Sequence, residues 1–298
     1  MFGWAIIVLA EVASGGELVP RDVCGQRLAS SSNVWERVKE PSLRAYCDLL
    51  ASATSKLAAR PPAATLALLA LEEAEKKMPH QVATALLRGR AKALAGDIPE
   101  SFRILSQAKE RAPTLLDDVR AQLAYARAAA WTHHAPEALE AYRYLLVRTS
   151  ALPSAERGAV PLETALVAMA EGGADEAAQC FRIAEREASD VERVLAEVGL
   201  ALANDRSSNP PGNRATLSED TARRYLDTPP DRFGKYAAWF GTGEADAWRA
   251  TALEARGSNA EAKEAWKKVI QAGGRWSAHA SSKLSSTKAR PSERGDKR

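Results

Sequence analysis

Four histidines and three cysteines are the side chains of this sequence best suited to metal binding or nucleophilic chemistry. His133 and His134 are adjacent in a predicted turn, where neighbouring side chains cannot point at one ion, and the other two are His80 and His279. No H-E-x-x-H, C-x-x-C or zinc-spaced Cys/His pattern occurs. The sequence therefore predicts no metal site and no cofactor.

Motifs for phosphate binding and acyl transfer are also missing from the sequence. It contains neither G-x-x-x-x-G-K-[ST] nor G-x-G-x-x-G, and no G-x-S-x-G nucleophile elbow. The Gly241–Gly243 segment precedes a helical stretch and is interpreted as a break in a long helix. Neighbouring carboxylates such as Glu72 and Glu73 are typical of solvated helix faces. We therefore expect a protein that is not an enzyme and has no small-molecule substrate.

The cysteine positions suggest one disulfide bond. In an oxidising compartment Cys24 and Cys47 can close a loop of about two dozen residues, which stabilises a fold by roughly 3 kcal/mol. Two buried free thiols are the alternative interpretation of this pair. Cys180 lies on the apolar face of a predicted helix and is interpreted as a core residue.

Composition excludes several protein classes. The net charge of +3 makes a nucleic-acid partner unlikely, and a hydrophobic fraction of 46% with 27% charged residues is ordinary for a folded domain. A wholly disordered chain and a polytopic membrane protein are excluded on the same grounds. The chain is rich in alanine, which favours helices because alanine loses no side-chain entropy there.

The first residues resemble an export signal. The apolar run 2–10 is too short to span a bilayer, but it fits the core of a secretory signal with a small-residue cleavage site at 12–14. No Lys or Arg precedes the run, so a buried strand or helix is the alternative. We predict a signal peptide at 1–14 and a periplasmic or otherwise exported protein, with a cytoplasmic location as the alternative.

The excess of basic over acidic residues lies at the C-terminal end of the chain. The segment 283–298 holds six Lys or Arg and two Asp or Glu, so the remaining residues are close to neutral. It contains Ser, Thr and Pro and few apolar residues, which predicts a disordered basic tail at 285–298. Such a tail either improves solubility or contacts an anionic surface.

A pattern of small, large, and small or medium residues at helical spacing recurs along the chain. The first two copies are 34 residues apart and each ends at a proline, Pro79 or Pro113. The pattern occurs in five segments: Ala67-Leu71-Ala74, Ser101-Leu105-Ala108, Ala138-Tyr142-Leu145, Ala177-Phe181-Ala184 and Ala262-Trp266-Val269. A small residue lets antiparallel helices approach closely, and the large residue one turn later fills the space beside it.

A helix–turn–helix unit with this signature resembles the tetratricopeptide repeat family. The resemblance implies an all-α, right-handed solenoid in which each unit contacts mainly its neighbours. We predict a leading helical segment with Cys24 at 15–42, a repeat domain at 43–284 and a closing helix at 276–284. About six helical pairs are expected within the repeat domain: 43–79, 81–113, 117–152, 158–188, 190–228 and 231–272.

The resemblance also implies that the first helix of each pair lines a concave groove. The repeat register places six side chains at inward positions: Lys56, Arg90 and Arg127 at position 9, Arg120 at position 2, and Arg60 and Trp131 at position 13. This arrangement is similar to the basic clamp that holds an acidic peptide or a terminal carboxylate in some family members. The asparagines usual in such clamps are missing.

We therefore interpret the chain as a scaffold or adaptor that is not an enzyme and that binds another polypeptide in its groove, in the bacterial cell envelope. One alternative is a structural or assembly subunit that meets its partner through its convex face or its ends. Another alternative is a regulatory or enzymatic domain that acts on peptidoglycan.

Overall fold

All regular secondary structure in the described part of the chain is helical. The structure is a computed structural model, and it describes Cys24, 34–112, 118–207, 217–233, Tyr236 and 239–288. The helices are α1 (Val34–Ala58), α2 (Ala64–Lys77), α3 (Val82–Leu94), α4 (Ile98–Arg111), α5 (Val119–Trp131), α6 (Ala135–Leu146), α7 (Ser154–Arg157), α8 (Ala159–Ala170), α9 (Ala174–Glu187), α10 (Asp190–Arg206), α11 (Glu219–Asp227), α12 (Glu244–Ala255), α13 (Asn259–Ala272) and α14 (Ser277–Lys288).

The helices pack in successive pairs. The pairs are α1 with α2, α3 with α4, α5 with α6, α8 with α9, α10 with α11, and α12 with α13, and α14 packs on α13 at the end. First helices of neighbouring pairs also touch, as α3 does with α5 and α8 with α10. The prediction of an all-α stack of about six helical pairs with a closing helix is confirmed.

The repeating small and large residues form the contacts inside these pairs. All five small residues that begin the pattern are buried, and so are all five large residues that follow. Within the second pair, Gly89 of α3 faces Leu105 of α4, and a Cβ atom at Gly89 would lie 2.5 Å from the Leu105 Cγ. The hydroxyl of the small residue Ser101 donates a hydrogen bond to the Gly89 carbonyl at 2.8 Å. The buried hydroxyl therefore has a hydrogen-bond partner within the core.

Several predicted boundaries differ from the structure. Helix α1 begins at Val34 and passes through position 42 without a break, because Val34–Ala58 is one helix that already packs on α2. Residues 285–288 belong to α14, so the prediction that disorder begins at 285 is wrong. The predicted signal segment 1–14, the residues of 15–33 other than Cys24, and the tail residues 289–298 lie outside the described residues.

Large aromatic residues close the C-terminal part of the stack. Trp248, Trp266 and Trp276 are almost completely buried, and Trp239 is 6% exposed. Helix α14 is tied to the preceding pairs by Lys283, whose ammonium group pairs with Asp205 of α10. No helix in the described ranges has the length and apolar character needed to cross a membrane.

Candidate functional site

A cavity of about 830 Å³ opens where three successive pairs meet. Its walls come from α5, from α7 and the start of α8, and from the turn between α9 and α10, with Trp239 closing one side. We call this space the α5–α10 cavity. In this wall the backbone at Gly158 lies directly against the backbone at Ala188. A Cβ atom added at Gly158 would be only 2.4 Å from the Ala188 Cα. Only a glycine at 158 lets the α8 and α9–α10 segments approach this closely.

One guanidinium and two carboxylates form the floor of the cavity. Arg127 of α5 donates from Nη2 to Glu163 Oε1 at 2.8 Å and from Nε to Glu163 Oε2 at 3.0 Å. The same guanidinium donates to Glu156 of α7. Glu163 Oε2 also accepts a hydrogen bond from the hydroxyl of the fully buried Tyr142 at 3.0 Å. These bonds join α6, α7 and α8 to α5 around one cation.

Burial and charge act in opposite directions on this cluster. Burial raises the pKa of Glu163, whose side chain is 5% exposed, while the Arg127 charge favours the carboxylate. Burial also opposes the charge on Arg127, but Glu163 and Glu156 raise its pKa well above the ordinary value. Arg127 therefore stays ionised between the carboxyl groups of Glu163 and Glu156.

The other wall carries two more carboxylates. Glu192 of α10 accepts hydrogen bonds at 2.7 Å from the hydroxyls of Ser189 and Tyr236. Burial, followed by the neighbouring Glu192, raises the pKa of Tyr236, so this phenol stays protonated and donates. Glu187, the last residue of α9, lies exposed at the mouth of the cavity. Arg193 is beside this wall and donates from Nη2 to the Ala188 carbonyl at 3.3 Å.

Two tryptophans line the cavity as well. Trp131, the last residue of α5, is 40% exposed. Trp239 is buried against Tyr236, with ring centroids 5.5 Å apart. The indole nitrogen Nε1 of Trp239 is buried and has no acceptor among the described residues. An exposed aromatic face and a free indole N–H therefore lie beside the carboxylates.

The structure brings together two of the six predicted groove residues. Arg127 and Trp131 line the α5–α10 cavity, whereas the remaining four do not line it: Lys56, Arg60, Arg90 and Arg120. Lys56 donates to Ser52 one turn earlier in α1. Arg60 is exposed in the connection after α1.

Arg90 and Arg127 are not freely exposed cations in the structure. Arg90 of α3 is only 8% exposed. Arg127 is paired with Glu163 and Glu156, so an anionic ligand would have to displace a carboxylate that is already in place. The inward register position does not mean that a side chain is available to a ligand.

Sequence reasoning missed the carboxylates that meet Arg127. Glu163 is the one charged residue in the otherwise apolar stretch of α8, Ala159–Ala170, and almost all of that helix is buried. A lone carboxylate within an apolar helix requires a partner, so this signal was present in the sequence. Its partner is 36 residues away and could not be identified from local spacing.

Cys24 and Cys47 are joined by a disulfide bond in the structure. Their Cα atoms are 5.6 Å apart, and both side chains pack against the small core formed by α1, α2 and α3. Cys180 is a free, buried thiol in α9, and burial raises its pKa to about 12. Among the described residues no group of three or more His, Cys, Asp or Glu side chains is arranged to hold a metal ion.

No protein-family model and no curated protein matches the chain. A solved structure described as a tetratricopeptide repeat protein from Parabacteroides merdae is similar to it, with 15% identity and a TM-score of 0.43. That match covers 82% of this chain and 99% of the other. The stacking of helical pairs described above rests on the contacts within this chain itself.

Proposed function

We propose that this protein is a helical-repeat scaffold, without enzymatic activity, that binds a segment of another polypeptide in the α5–α10 cavity. The observation that carries the proposal is the joint construction of the cavity by three successive pairs, with the exposed Trp131 at its mouth. Stacked pairs supply a rigid concave surface, and an aromatic side chain at such a surface is a typical anchor for a partner.

A capture experiment tests this proposal. The purified chain is immobilised, partners are recovered from an extract of the native cells, and the dominant partner is expressed for affinity measurement. Replacing Trp131 with Ala should weaken binding more than tenfold, since a central aromatic anchor contributes about 2 kcal/mol or more. Val147→Ala is the matched control, because Val147 is highly exposed and does not line the cavity. Equal affinity for the Trp131→Ala protein and wild type would refute the proposal.

An assembly role through the outer surface is a second candidate. Leu66 and Leu69 of α2 are both more than half exposed, and their i,i+3 spacing puts them on one face of the helix. This pair lies on an otherwise charged surface that carries Glu72 and Glu73. If this face forms the contact, Leu66→Ser with Leu69→Ser should abolish partner capture, and Trp131→Ala should leave it unchanged.

The same proposal places the protein in the bacterial cell envelope. The apolar run 2–10 with small residues after it and the disulfide between Cys24 and Cys47 support this location. Osmotic-shock fractionation tests it with the full chain and with a chain that lacks residues 2–14. The full chain should appear in the periplasmic fraction and the shortened chain in the cytoplasm. Recovery of both in the cytoplasm would contradict the envelope location.

The competing enzymatic interpretation has a direct test. Glu163 has both oxygens engaged by Arg127 and Tyr142, which leaves this carboxyl poorly placed to give up a proton to a substrate. The purified chain should therefore release no fragments from dye-labelled peptidoglycan under conditions in which lysozyme does. Release that depends on Glu163 or Glu192 would establish the enzymatic alternative.

A further inference from the structure

Two first helices that touch each other, α3 and α5, end in large apolar side chains that are exposed. Both helices have 13 residues, and their last residues are Leu94 and Trp131. Leu94 is 51% exposed, and Trp131 is exposed as well. Each follows an inward arginine, Arg90 or Arg127, by four positions, so the two side chains occupy equivalent places in neighbouring pairs. Because Trp131 also lines the α5–α10 cavity, they form a row that leads to it, which we call the Leu94–Trp131 row.

The cavity wall also contains a hydrogen-bond donor without an acceptor. Trp239 is buried at one side of the cavity, and its indole nitrogen Nε1 has no acceptor among the described residues. Leaving a buried donor unpaired is costly, so a ligand that supplies an acceptor there gains affinity. A peptide carbonyl is such an acceptor, provided that the peptide does not already use it in a hydrogen bond of its own.

The spacing of the row distinguishes between the conformations that a bound peptide can adopt. Packed helices have axes about 8 to 10 Å apart, and equivalent side chains on α3 and α5 are separated by about that distance. Residues i and i+3 of a polyproline II helix lie on one face about 9 Å apart. Residues on one face of a β-strand repeat about every 7 Å. The carbonyls of an α-helix are bonded within the helix. Polyproline II therefore matches both the row and the donor.

We propose that the Leu94–Trp131 row and the α5–α10 cavity bind a proline-rich segment of a partner polypeptide in the polyproline II conformation. Two prolines three positions apart pack on Leu94 and Trp131, and a neighbouring carbonyl accepts the indole hydrogen bond of Trp239. A polyproline II helix has no internal hydrogen bonds and is largely formed before binding, so its carbonyls are available and little entropy is lost. This inference rests on the proposed function and specifies the composition and conformation of the partner segment.

Peptide selection tests the inference with the full chain. A phage-displayed library of random dodecapeptides is selected on the immobilised protein, and the recovered peptides should be enriched in prolines three positions apart. One recovered peptide is then labelled with fluorescein and titrated by anisotropy. Moving one proline of the pair by a single position should weaken binding about fivefold or more, because the two prolines then no longer share a face.

Variants of the protein then locate the contact. Leu94→Ser should raise the dissociation constant about threefold or more, because an apolar contact is lost, and folding should be unaffected because Leu94 is exposed. Val147→Ser is the matched control and should change the constant less than about twofold, since Val147 is an exposed apolar residue that follows the second helix α6. Trp239→Phe keeps an aromatic ring but removes the N–H donor, and it should weaken binding about threefold or more.

The outcomes separate this inference from the proposed function. Recovered peptides that need Trp131 but contain no excess of proline would overturn the inference and leave the polypeptide-binding function standing. Peptides that tolerate the displaced proline, or that bind the Leu94→Ser or Trp239→Phe protein as tightly as wild type, would have the same meaning. If no peptide binds in a Trp131-dependent way, both the proposed function at this cavity and the inference fail.

Discussion

The Nη2 atom of Arg127 lies 2.8 Å from Oε1 of Glu163, and this ion pair connects the first helices of the third and fourth pairs. Glu163 is almost fully buried and accepts a second hydrogen bond, from Tyr142, at 3.0 Å. A buried charge that loses its partner is costly, because its desolvation is then no longer compensated. The pair therefore fixes the α5–α8 contact on which the cavity is built.

Replacing Glu163 should destabilise the protein much more than replacing Glu156. Glu163→Gln leaves Arg127 without its main partner, and we expect a loss of roughly 2 to 3 kcal/mol in the free energy of unfolding. Glu156→Gln should cost less than about 1 kcal/mol, because the Glu156 side chain is partly exposed to water. Urea denaturation followed by circular dichroism measures both. Equal losses for the two variants would show that burial of Glu163 does not control the contact.

The glycine in the wall of the cavity gives a second stability test. A Cβ atom at Gly158 would lie 2.4 Å from the Ala188 Cα and 2.6 Å from the Glu187 carbonyl oxygen, both of which are backbone atoms. Gly158→Ala should therefore lower stability by about 1 to 3 kcal/mol through overpacking, despite the better helix propensity of alanine.

Gly89→Ala is the comparison for this test. Its added methyl group meets the side chain of Leu105, which can change its rotamer, so we expect a smaller loss than at Gly158. Thermal melting of the two variants and of wild type shows which variant loses more stability. A higher melting temperature for Gly158→Ala than for wild type would mean that the two segments do not approach as closely as described.

A buried carboxyl in the last pair makes stability depend on pH. Glu244 is fully buried at the start of α12, where it accepts hydrogen bonds from the Gly241 N–H at 2.8 Å and the Trp248 indole at 3.2 Å. Burial raises its pKa from 4.5 to about 7. The folded state then holds a proton that the unfolded state has released, so the free energy of unfolding falls as pH rises from about 4.5 to about 7, by up to about 3 kcal/mol.

His279 of α14 opposes this trend over nearly the same range. Burial, assisted by Lys283, lowers the pKa of His279 from 6.5 to about 4. Below pH 6.5 the unfolded state therefore binds a proton that the folded state does not, and its contribution to stability is lost as pH falls towards 4. The two groups share the neighbouring Arg206 and Trp276.

Single variants should separate the two titrations. In the Glu244→Gln protein the free energy of unfolding should rise between pH 4.5 and 6.5, because Glu244 then no longer opposes the contribution of His279. In the His279→Phe protein it should fall between pH 4.5 and 7. The wild type should change little up to pH 6.5, because the two slopes have opposite signs. Urea midpoints at half-unit pH steps measure this, and parallel profiles for the two variants would contradict the assignment.

The sequence predicted the helical pairs well because their contacts are local. The spacing of residues such as Ala67 and Leu71 fixes which helix face meets the preceding helix, and both side chains are fully buried as expected. The groove was predicted less well. The repeat register pointed to Trp131 and Arg127, which both line the cavity. It gave no information on which side chains from other helices line the same cavity.

The electrostatics of the cavity depend on residues brought together by stacking. Glu163 lies 36 positions after Arg127, and Glu192 lies in yet another pair. Their convergence follows from the angle between successive pairs, which a local pattern does not encode. The prediction of the groove used one row of side chains, whereas residues from the facing helices also contribute charges to the cavity.

The cysteines provide a final test, of the covalent structure. Cys24 and Cys47 are 23 positions apart and joined, and Cys180 is buried with its pKa raised to about 12 by burial. Protein expressed in an oxidising compartment and purified without reductant should show almost no thiol reaction in its folded state, because Cys180 is neither exposed nor ionised. After unfolding in guanidinium it should show one reactive thiol per chain, and after unfolding and reduction three.

The disulfide should also stabilise the fold. Because the closed loop restricts the unfolded chain, reduction should lower the free energy of unfolding by roughly 3 kcal/mol. The Cys24→Ser, Cys47→Ser protein is the control and should be insensitive to reductant. Three thiols in the unfolded, unreduced protein would contradict the bond.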